Sequence, residues 1–346
     1  MKNLLANSGL TTKIRAMQKK LLTDNDFREL AGVTSVPLAV AFLRQKKEYS
    51  KVLETLDDHN LHRGDIEKRL MNSIYKDFTR IYRFSTIKQR FFLDLHFKRY
   101  EITILKNCLN NILGQRGIDL DISLFKDFFD KHSSLDITAL ADSSSVEEFI
   151  NNLKGTPYYK PISQMTNIEN PTLFDYEMAF DLHYFGVLWK TKDKFMNKKD
   201  LAIVTKTYGN QCDLLNLQWI YRAKTFYHMS PPAIYALTIP VVYRLKKSDI
   251  TALVESEGED AFRGALAKTF YGLQYPDLSP DALEAMYNSI MRKVLLREAR
   301  QNPYSVSVLY RYLYAKEHEI QRITVALECI RYGIEPQATL EHILKF

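Results

Sequence analysis

The sequence is poor in the residues that break helices. Its 346 residues include only 12 glycines and 11 prolines, whereas roughly 7% and 5% are typical of globular proteins. A chain with so few breakers and tight turns favours long helices over a sheet-rich fold. Because no alternation of apolar and polar residues extends beyond a few positions, we predict an all-α protein.

Long apolar runs and a cysteine framework are also missing. The longest apolar stretches, residues 36–43 and 236–243, each contain a proline and are much shorter than the roughly 20 residues that cross a bilayer. We therefore expect no membrane span and, without a recognisable secretory signal, a cytosolic location. Cys108, Cys212 and Cys329 lie far apart, so we expect buried thiols rather than disulfides or a zinc pair.

The charge pattern does not indicate a nucleic-acid partner. The formal charge is +7, from 48 basic and 41 acidic residues, and the two signs are interleaved along the chain. A nucleic-acid-binding protein usually concentrates Lys and Arg in a stripe or an arm, and no such run is present. We expect a surface of mixed charge and no binding to nucleic acid.

The sequence lacks the motifs of nucleotide binding and of common catalytic sites. There is no GxxxxGK(S/T) phosphate loop, no GxGxxG turn, no GxSxG elbow and no HExxH zinc motif. His59 and His62 form a loose cluster with Asp57 and Asp58, which fits a solvated turn better than a metal site. We therefore predict no catalytic residue, no cofactor, no metal and no small-molecule substrate.

Self-comparison of the chain indicates a repeat of about 110 residues, with several anchors in the same order in each copy. The anchors are the helical segments Phe27–Ala31, Ile137–Ala141 and Ile250–Val254, the aromatic residues Tyr49, Tyr159 and Tyr271, the acids Glu67, Glu177 and Glu284, and the acid-led pairs Glu101–Ile102, Asp213–Leu214 and Glu319–Ile320. We predict three helical copies, residues 1–120, 121–235 and 236–346, whose apolar faces pack together into one compact body.

Each copy is expected to close with a long helix that the last anchor opens. Apolar residues at intervals of three, four and seven predict these helices over residues 93–113, over residues 201–227 with a break at Gly209, and between an N-cap at Asn302 and a stop at Gly333. Three copies could stack as an open solenoid or close around a pseudo-three-fold axis. Periodicity alone does not choose between these arrangements.

Glu101, Asp213 and Glu319 recur once per copy within apolar helices, where a carboxyl group of raised pKa would serve acid-base catalysis. Acid-base chemistry needs such groups together, whereas equivalent positions in three copies lie apart. We therefore favour a structural role, with Asp213 and Glu319 pairing locally with Asn216 and Arg322 on the same helix face.

Aromatic clusters admit two interpretations as well. Residues 310–314 contain three tyrosines, and Tyr158–Tyr159, Trp189 and Trp219 add further rings. Such rings can stack on bases, but at helical spacing they more often line a core or a groove. Taken together, the residues predict a helical repeat protein that binds other proteins.

Several of these segments resemble one family, the C subunits of bacterial and archaeal V/A-type ATPases, which are homologous to the d subunit of the eukaryotic V-ATPase. The resemblance covers nearly the whole chain. It rests on Ile14–Thr23 running into Phe27–Leu30, on the leucine segments Leu43–Tyr49 and Leu153–Tyr159, on the helix led by Glu177 with Asp181 and Tyr184, and on the closing segments Asp213–Leu217, with Arg222 and Lys224, and Glu319–Ile323.

The resemblance implies a funnel of three helical units around a pseudo-three-fold axis with a central cavity. It also implies a non-catalytic rotor subunit, peripheral at the cytoplasmic face of the membrane, that links the central shaft to the proteolipid ring and transmits torque for proton or sodium transport. Contact with the stator membrane subunit is compatible with this position. The alternatives are a soluble helical-repeat scaffold unrelated to the ATPase and a helical enzyme that uses the three acids.

Overall fold

The structure, a computed structural model, describes residues 2–57, 61–114, 122–194 and 196–345. These residues form nineteen α-helices and two short 3₁₀-helices, and no strand occurs among them. The prediction of an all-α protein is therefore confirmed. Asp58 and His59 of the histidine cluster, and the boundary predicted at residues 120 and 121, lie outside the described residues.

The helices follow one another with short connections. The first six are α1 (Lys2–Gln18), α2 (Asp24–Ala31), α3 (Val36–Gln45), α4 (Ser50–Leu53), α5 (Arg63–Phe84) and α6 (Ile87–Leu113). The next six are α7 (Ser123–His132), α8 (Ile137–Ala141), α9 (Val146–Asn152), α10 (Tyr159–Ser163), α11 (Leu173–Thr191) and α12 (Lys198–Thr225). The last seven are α13 (Pro231–Leu237), α14 (Lys247–Val254), α15 (Gly258–Lys268), α16 (Phe270–Gln274), α17 (Leu283–Gln301), α18 (Val306–Arg331) and α19 (Pro336–Lys345).

Short polar residues set many of the helix starts. Thr23 caps α2 and forms a capping box with Asp26, and Thr172 does the same for α11 with Asp175. Each box satisfies backbone N–H groups that the first turn of a helix leaves without an intrahelical acceptor. The chain therefore encodes its helix boundaries locally, and burial of the amphipathic faces then stabilises the helices.

The described chain divides into two compact units. The first unit comprises the chain up to Arg90 together with the chain from Leu295 onward. Its central element is α18, which packs against α1, α2, α3, α5 and α19. Sixteen of the 26 residues of α18 are buried, including Lys316 and Glu319, so the helix carries polar groups into the core.

The second unit runs from Phe91 to Val294. Here α12 is the most buried element, with 15 of its 28 residues buried. The connector between α13 and α14 is bonded to this helix, because the Asn216 amide donates to the Ile239 carbonyl oxygen (3.1 Å) and accepts from the Ile239 N–H (2.7 Å). The buried Asn216 side chain thus satisfies both the N–H group and the carbonyl group of Ile239.

Three expectations about the long helices are wrong in detail. α12 continues through Gly209 without a break. α18 is capped by Ser305, whose hydroxyl oxygen accepts from the Ser307 N–H (3.2 Å), and not by Asn302. The acids of the last anchor lie near the middle of α6, α12 and α18 and do not open them. The stop at Gly333 is confirmed, since its φ of 64° is the left-handed conformation in which glycine ends helices.

Gly209 is retained in α12 because an aromatic ring occupies the space of a side chain. A Cβ atom built there would lie 2.5 Å from Cγ of Tyr243 and within 2.8 Å of both of its Cδ atoms. Gly186 in α11 provides a contrast, since nothing lies within 4 Å of its Cβ position. Glycine at this position lowers the helix propensity of α12, but it allows the connector that carries Tyr243 to pack closely against the helix.

We predict that Gly209→Ala lowers the free energy of unfolding by about 1–3 kcal/mol, the usual cost of overpacking a filled core. Gly186→Ala is the matched control, and it should raise stability by up to about 1 kcal/mol through helix propensity alone. Thermal unfolding followed by circular dichroism measures both. Equal behaviour of the two variants would contradict the packing assigned to Gly209.

Candidate functional site

Three buried carboxylates connect separate segments of the chain, and we call them the three junctions. Glu101, fully buried on α6, is the acid of the first. It accepts hydrogen bonds from the Tyr158 hydroxyl (2.6 Å), from the Lys98 ammonium (2.7 Å) and from the Ser133 hydroxyl. Tyr158 directly precedes α10, and Ser133 lies between α7 and α8.

The second junction forms around Asp213 of α12, which is also fully buried. One carboxylate oxygen accepts from the backbone N–H groups of Arg244 (2.7 Å) and Leu245 (3.0 Å) and from the Tyr271 hydroxyl (3.0 Å). The same hydroxyl lies 3.0 Å from the Asn210 side-chain oxygen. Tyr271 belongs to α16, and the two N–H groups lie just before α14.

Glu319 of α18 forms the third junction. It accepts from the Tyr49 hydroxyl and from the Leu22 N–H (2.5 Å). The buried Lys316 ammonium lies 3.5 Å from Glu319 and 3.6 Å from Glu48, and it donates to the Tyr49 oxygen (3.0 Å). Tyr49 directly precedes α4, and Leu22 lies just before the N-cap of α2.

The three junctions share one arrangement of acid, tyrosine and chain segment. Each acid lies near the middle of a long helix and binds two other pieces of chain, a tyrosine at the start of a four- or five-residue helix and the segment immediately before α2, α8 or α14. Hydrogen bonds to an ionised group contribute about 1.5–3 kcal/mol each. The junctions are therefore strong points of attachment between segments that are distant in sequence.

Burial controls the protonation of these groups. It raises the pKa of Tyr49, Tyr158 and Tyr271 well above the usual value, and the neighbouring carboxylates raise it further. The hydroxyls consequently remain donors at any physiological pH. Burial also raises the pKa of Glu319, although Lys316 opposes the change, because a desolvated carboxylate is disfavoured in its charged form.

The pKa of Asp213 also reflects burial opposed by favourable contacts, but here the contacts are hydrogen bonds and no cation takes part. Burial raises its pKa to about 6, against the hydrogen bonds from Leu245, Arg244 and Tyr271 that favour the ionised form. Its Oδ2 atom accepts those bonds, whereas Oδ1 is buried without a partner among the described residues.

Sequence reasoning identified the acids but not all of their partners. The expected pair of Asp213 with Asn216 is wrong, because the Asn216 side chain binds the Ile239 backbone. Arg322 lies over the Phe27 ring (3.8 Å) and beside Asp24 (3.5 Å). Glu101 and Glu319 do have local partners, which lie three residues earlier in the sequence at Lys98 and Lys316.

The buried tyrosine that binds Glu101 is Tyr158, the residue before the repeat anchor Tyr159. The expectation of core aromatics is confirmed for Tyr310, Tyr312 and Tyr314, which are all buried. Tyr312 donates to Asp77. This is a buried pair of an acid and a tyrosine like those of the three junctions. In the sequence, only the apolar residues near Asp77 indicate that this acid is buried.

Other kinds of site are not found in the described part of the chain. No group of three or more His, Cys, Asp or Glu side chains there is arranged to hold a metal ion. Cys108, Cys212 and Cys329 are free and buried, as expected. None of the described helices is long and apolar enough to cross a membrane.

Comparison with known proteins identifies relatives along almost the whole length. Residues 10–342 match the family model described as ATP synthase (C/AC39) subunit. The C subunit of the A-type ATP synthase of Pyrococcus abyssi is 25% identical over 344 residues, 96% of this chain and 88% of that protein. The corresponding protein of Thermococcus kodakarensis is 23% identical with the same coverage, and that of Archaeoglobus fulgidus is 20% identical over 93% of this chain and 92% of that protein.

Two adjacent tyrosines allow a matched test of the junctions. We expect Tyr158→Phe to lower the free energy of unfolding by about 1–3 kcal/mol, because the buried Glu101 carboxylate loses a donor. Tyr159→Phe should change it by less than about 0.5 kcal/mol, because the half-buried Tyr159 makes no side-chain hydrogen bond to the described residues. Urea denaturation of both variants measures the difference. Equal losses would show that the Tyr158 hydroxyl contributes no specific bond.

The raised pKa of Asp213 predicts a pH dependence of stability. Because the native pKa of about 6 exceeds the unfolded value near 3.8, the native state binds the extra proton between these values, and stability falls as pH rises through that interval. At about 1.4 kcal/mol per pKa unit, the loss is on the order of 2–3 kcal/mol and is complete above about pH 7.

Asp213→Asn provides the control, since it removes the titrating group and keeps an oxygen that can accept the backbone bonds. The unfolding free energy of the wild type minus that of the variant should decrease from pH 4 to pH 7 and then remain constant. A difference that rises with pH, or that does not change, would contradict the assignment.

Proposed function

We propose a mechanical function for this chain, which belongs to the ATP synthase (C/AC39) subunit family because that family's model matches residues 10–342. It is a non-catalytic subunit of a rotary ATPase. Within the complex, we assign it the role of a socket that receives the foot of the central shaft and rests on the proteolipid ring. Torque would pass through its body, so that ATP turnover elsewhere is coupled to proton or sodium movement.

The body that transmits torque is proposed to consist of three copies, residues 1–120, 121–235 and 236–346. With these boundaries the junctions form a cycle. Glu101 of the first copy binds Tyr158 of the second, and Asp213 of the second binds Tyr271 of the third. Glu319 of the third copy binds Tyr49 of the first.

The cycle supports a closed arrangement over an open solenoid. An open row of three copies would leave the acid of the last copy and the tyrosine of the first at opposite ends, and each would need another partner. Their mutual bond supports closure around a pseudo-three-fold axis, with a funnel-shaped hollow that could hold the end of a shaft. This hollow is part of the proposal.

A rotor element must resist deformation, and the junctions suit that requirement. Each one fixes a long helix to two neighbouring segments through buried, charge-assisted bonds, which are shorter and stronger than neutral ones. Close-packed interiors transmit strain because they are not easily compressed. A body built in this way can turn as one piece between shaft and ring.

The proposed partners are the central shaft subunits and the proteolipid ring, with the stator membrane subunit as a further neighbour. The proposed location is the cytoplasmic face of the membrane, where the protein is held by these partners. The net charge of +7 suits association with an acidic shaft end or with anionic headgroups.

Co-purification of the tagged chain from membranes tests the proposal. After mild detergent extraction, we expect recovery of the shaft and ring subunits together with the chain, and release of the chain by a mild chaotrope. Chain carrying Tyr159→Phe, which leaves the junctions intact, should give the same recovery. Recovery without any ATPase subunit, even when those subunits are co-expressed, would overturn the proposal in favour of an unrelated scaffold.

A further inference from the structure

A basic pocket in the first unit has no role in the function proposed above. It has a volume of about 280 Å³ and lies where the ends of α1 and α17 meet the start of α18. Its lining consists of Arg15, Gln18, Ala299, Arg300, Pro303, Val308 and Arg311. Three of these seven side chains are guanidinium groups, and none is acidic.

The three arginines have no ion-pair partner among the described residues, unlike Arg63 and Arg80 of the same unit. Arg63 pairs with Glu67 and Glu328, and Arg80 pairs with Asp77. Among the residues that the structure describes, no carboxylate lies within ion-pair distance of Arg15, Arg300 or Arg311. The pocket therefore concentrates positive charge that the described chain does not neutralise.

A position near a helix C-terminus accounts for two of the three unpaired arginines. Arg15 and Arg300 lie in the last turns of α1 and α17, where a basic side chain interacts favourably with the helix dipole. Arg311 has no such explanation, because it lies in the second turn of α18, near the positive end of that helix.

The surroundings of Arg311 disfavour its positive charge. The side chain is half-buried, and both its burial and the charge of Arg300 lower its pKa. Arginine nevertheless remains protonated in proteins, so the repulsion persists in the pocket. An anion bound between the guanidinium groups would relieve this repulsion.

We propose that this pocket binds a phosphate group. Guanidinium groups match the oxygens of a phosphate with paired hydrogen bonds, and a dianion compensates the charge of three arginines better than a single carboxylate does. The phosphate can belong to a free anion or to a phospholipid headgroup. This site is independent of the mechanical role and of the three junctions, since none of its lining residues belongs to them.

Binding to pyrophosphate, measured by calorimetry at low ionic strength, tests the site in the full-length chain. We expect wild-type chain to bind and Arg311→Gln or Arg300→Gln to weaken binding about tenfold or more, the loss of roughly one charge-assisted contact. Arg292→Gln is the matched control, because it removes the same charge from the exposed surface of α17, outside the pocket. Its affinity should stay within about twofold of wild type.

Sedimentation with vesicles distinguishes the two sources of phosphate. Vesicles of phosphatidylcholine with phosphatidic acid should sediment the wild type but not Arg311→Gln if the ligand is a lipid headgroup, whereas pyrophosphate binding without such sedimentation assigns a free anion. Equal losses in Arg311→Gln and Arg292→Gln would reveal general charge attraction and overturn the site, as would absence of binding to both probes.

Thermal unfolding tests whether Arg311→Gln loses binding only because it fails to fold. Pyrophosphate should raise the melting temperature of the wild type, because a ligand that binds the native state stabilises it. Without the anion, Arg311→Gln should melt at or above the wild-type temperature, since the substitution removes a repelled cation. A variant that melts much lower would show that Arg311 stabilises the fold, which would contradict the proposed origin of the site.

Discussion

A carboxylate that is buried away from water must accept hydrogen bonds from donors inside the protein. This requirement determines how the long helices attach to the rest of the chain. Glu101, Asp213 and Glu319 are each almost fully buried, which would cost several kcal/mol without compensation. Each is compensated by a tyrosine hydroxyl and by a polar group just ahead of another helix. The position of a helix is therefore fixed by the position of its acid, and a shift of one turn would leave three buried groups unsatisfied.

The sequence predicted the helical class, and it also singled out the three acids, because repeated anchors mark positions under a common constraint. The partners were harder to predict. They lie 57, 58 and 270 residues from the acids, and local patterns such as an acid with Asn216 or Arg322 three residues later carry no information about such contacts. Charge at helical spacing indicates only which side chains can meet on one helix face.

Two smaller features were also beyond the reach of local patterns. The tyrosine that binds Glu101 is Tyr158, beside the repeat anchor Tyr159, and residue spacing does not show which of two adjacent side chains is turned into the core. Gly209 predicted a break because an isolated glycine weakens a helix. The ring of Tyr243, 34 residues later, occupies the missing side chain's place, and this contact exists only in the folded protein.

The first unit joins two stretches of chain that are synthesised at different times. Helices α1, α2, α3 and α5 pack against α18, which the ribosome makes only after the whole second unit. Until then these early helices lack the helix against which all four pack, and the Tyr49 hydroxyl lacks the Glu319 carboxylate. Contacts this distant in sequence slow folding and leave partly folded chains open to association. For as long as translation of the intervening chain takes, the early helices therefore have only the contacts among themselves, such as those of α1 with α5.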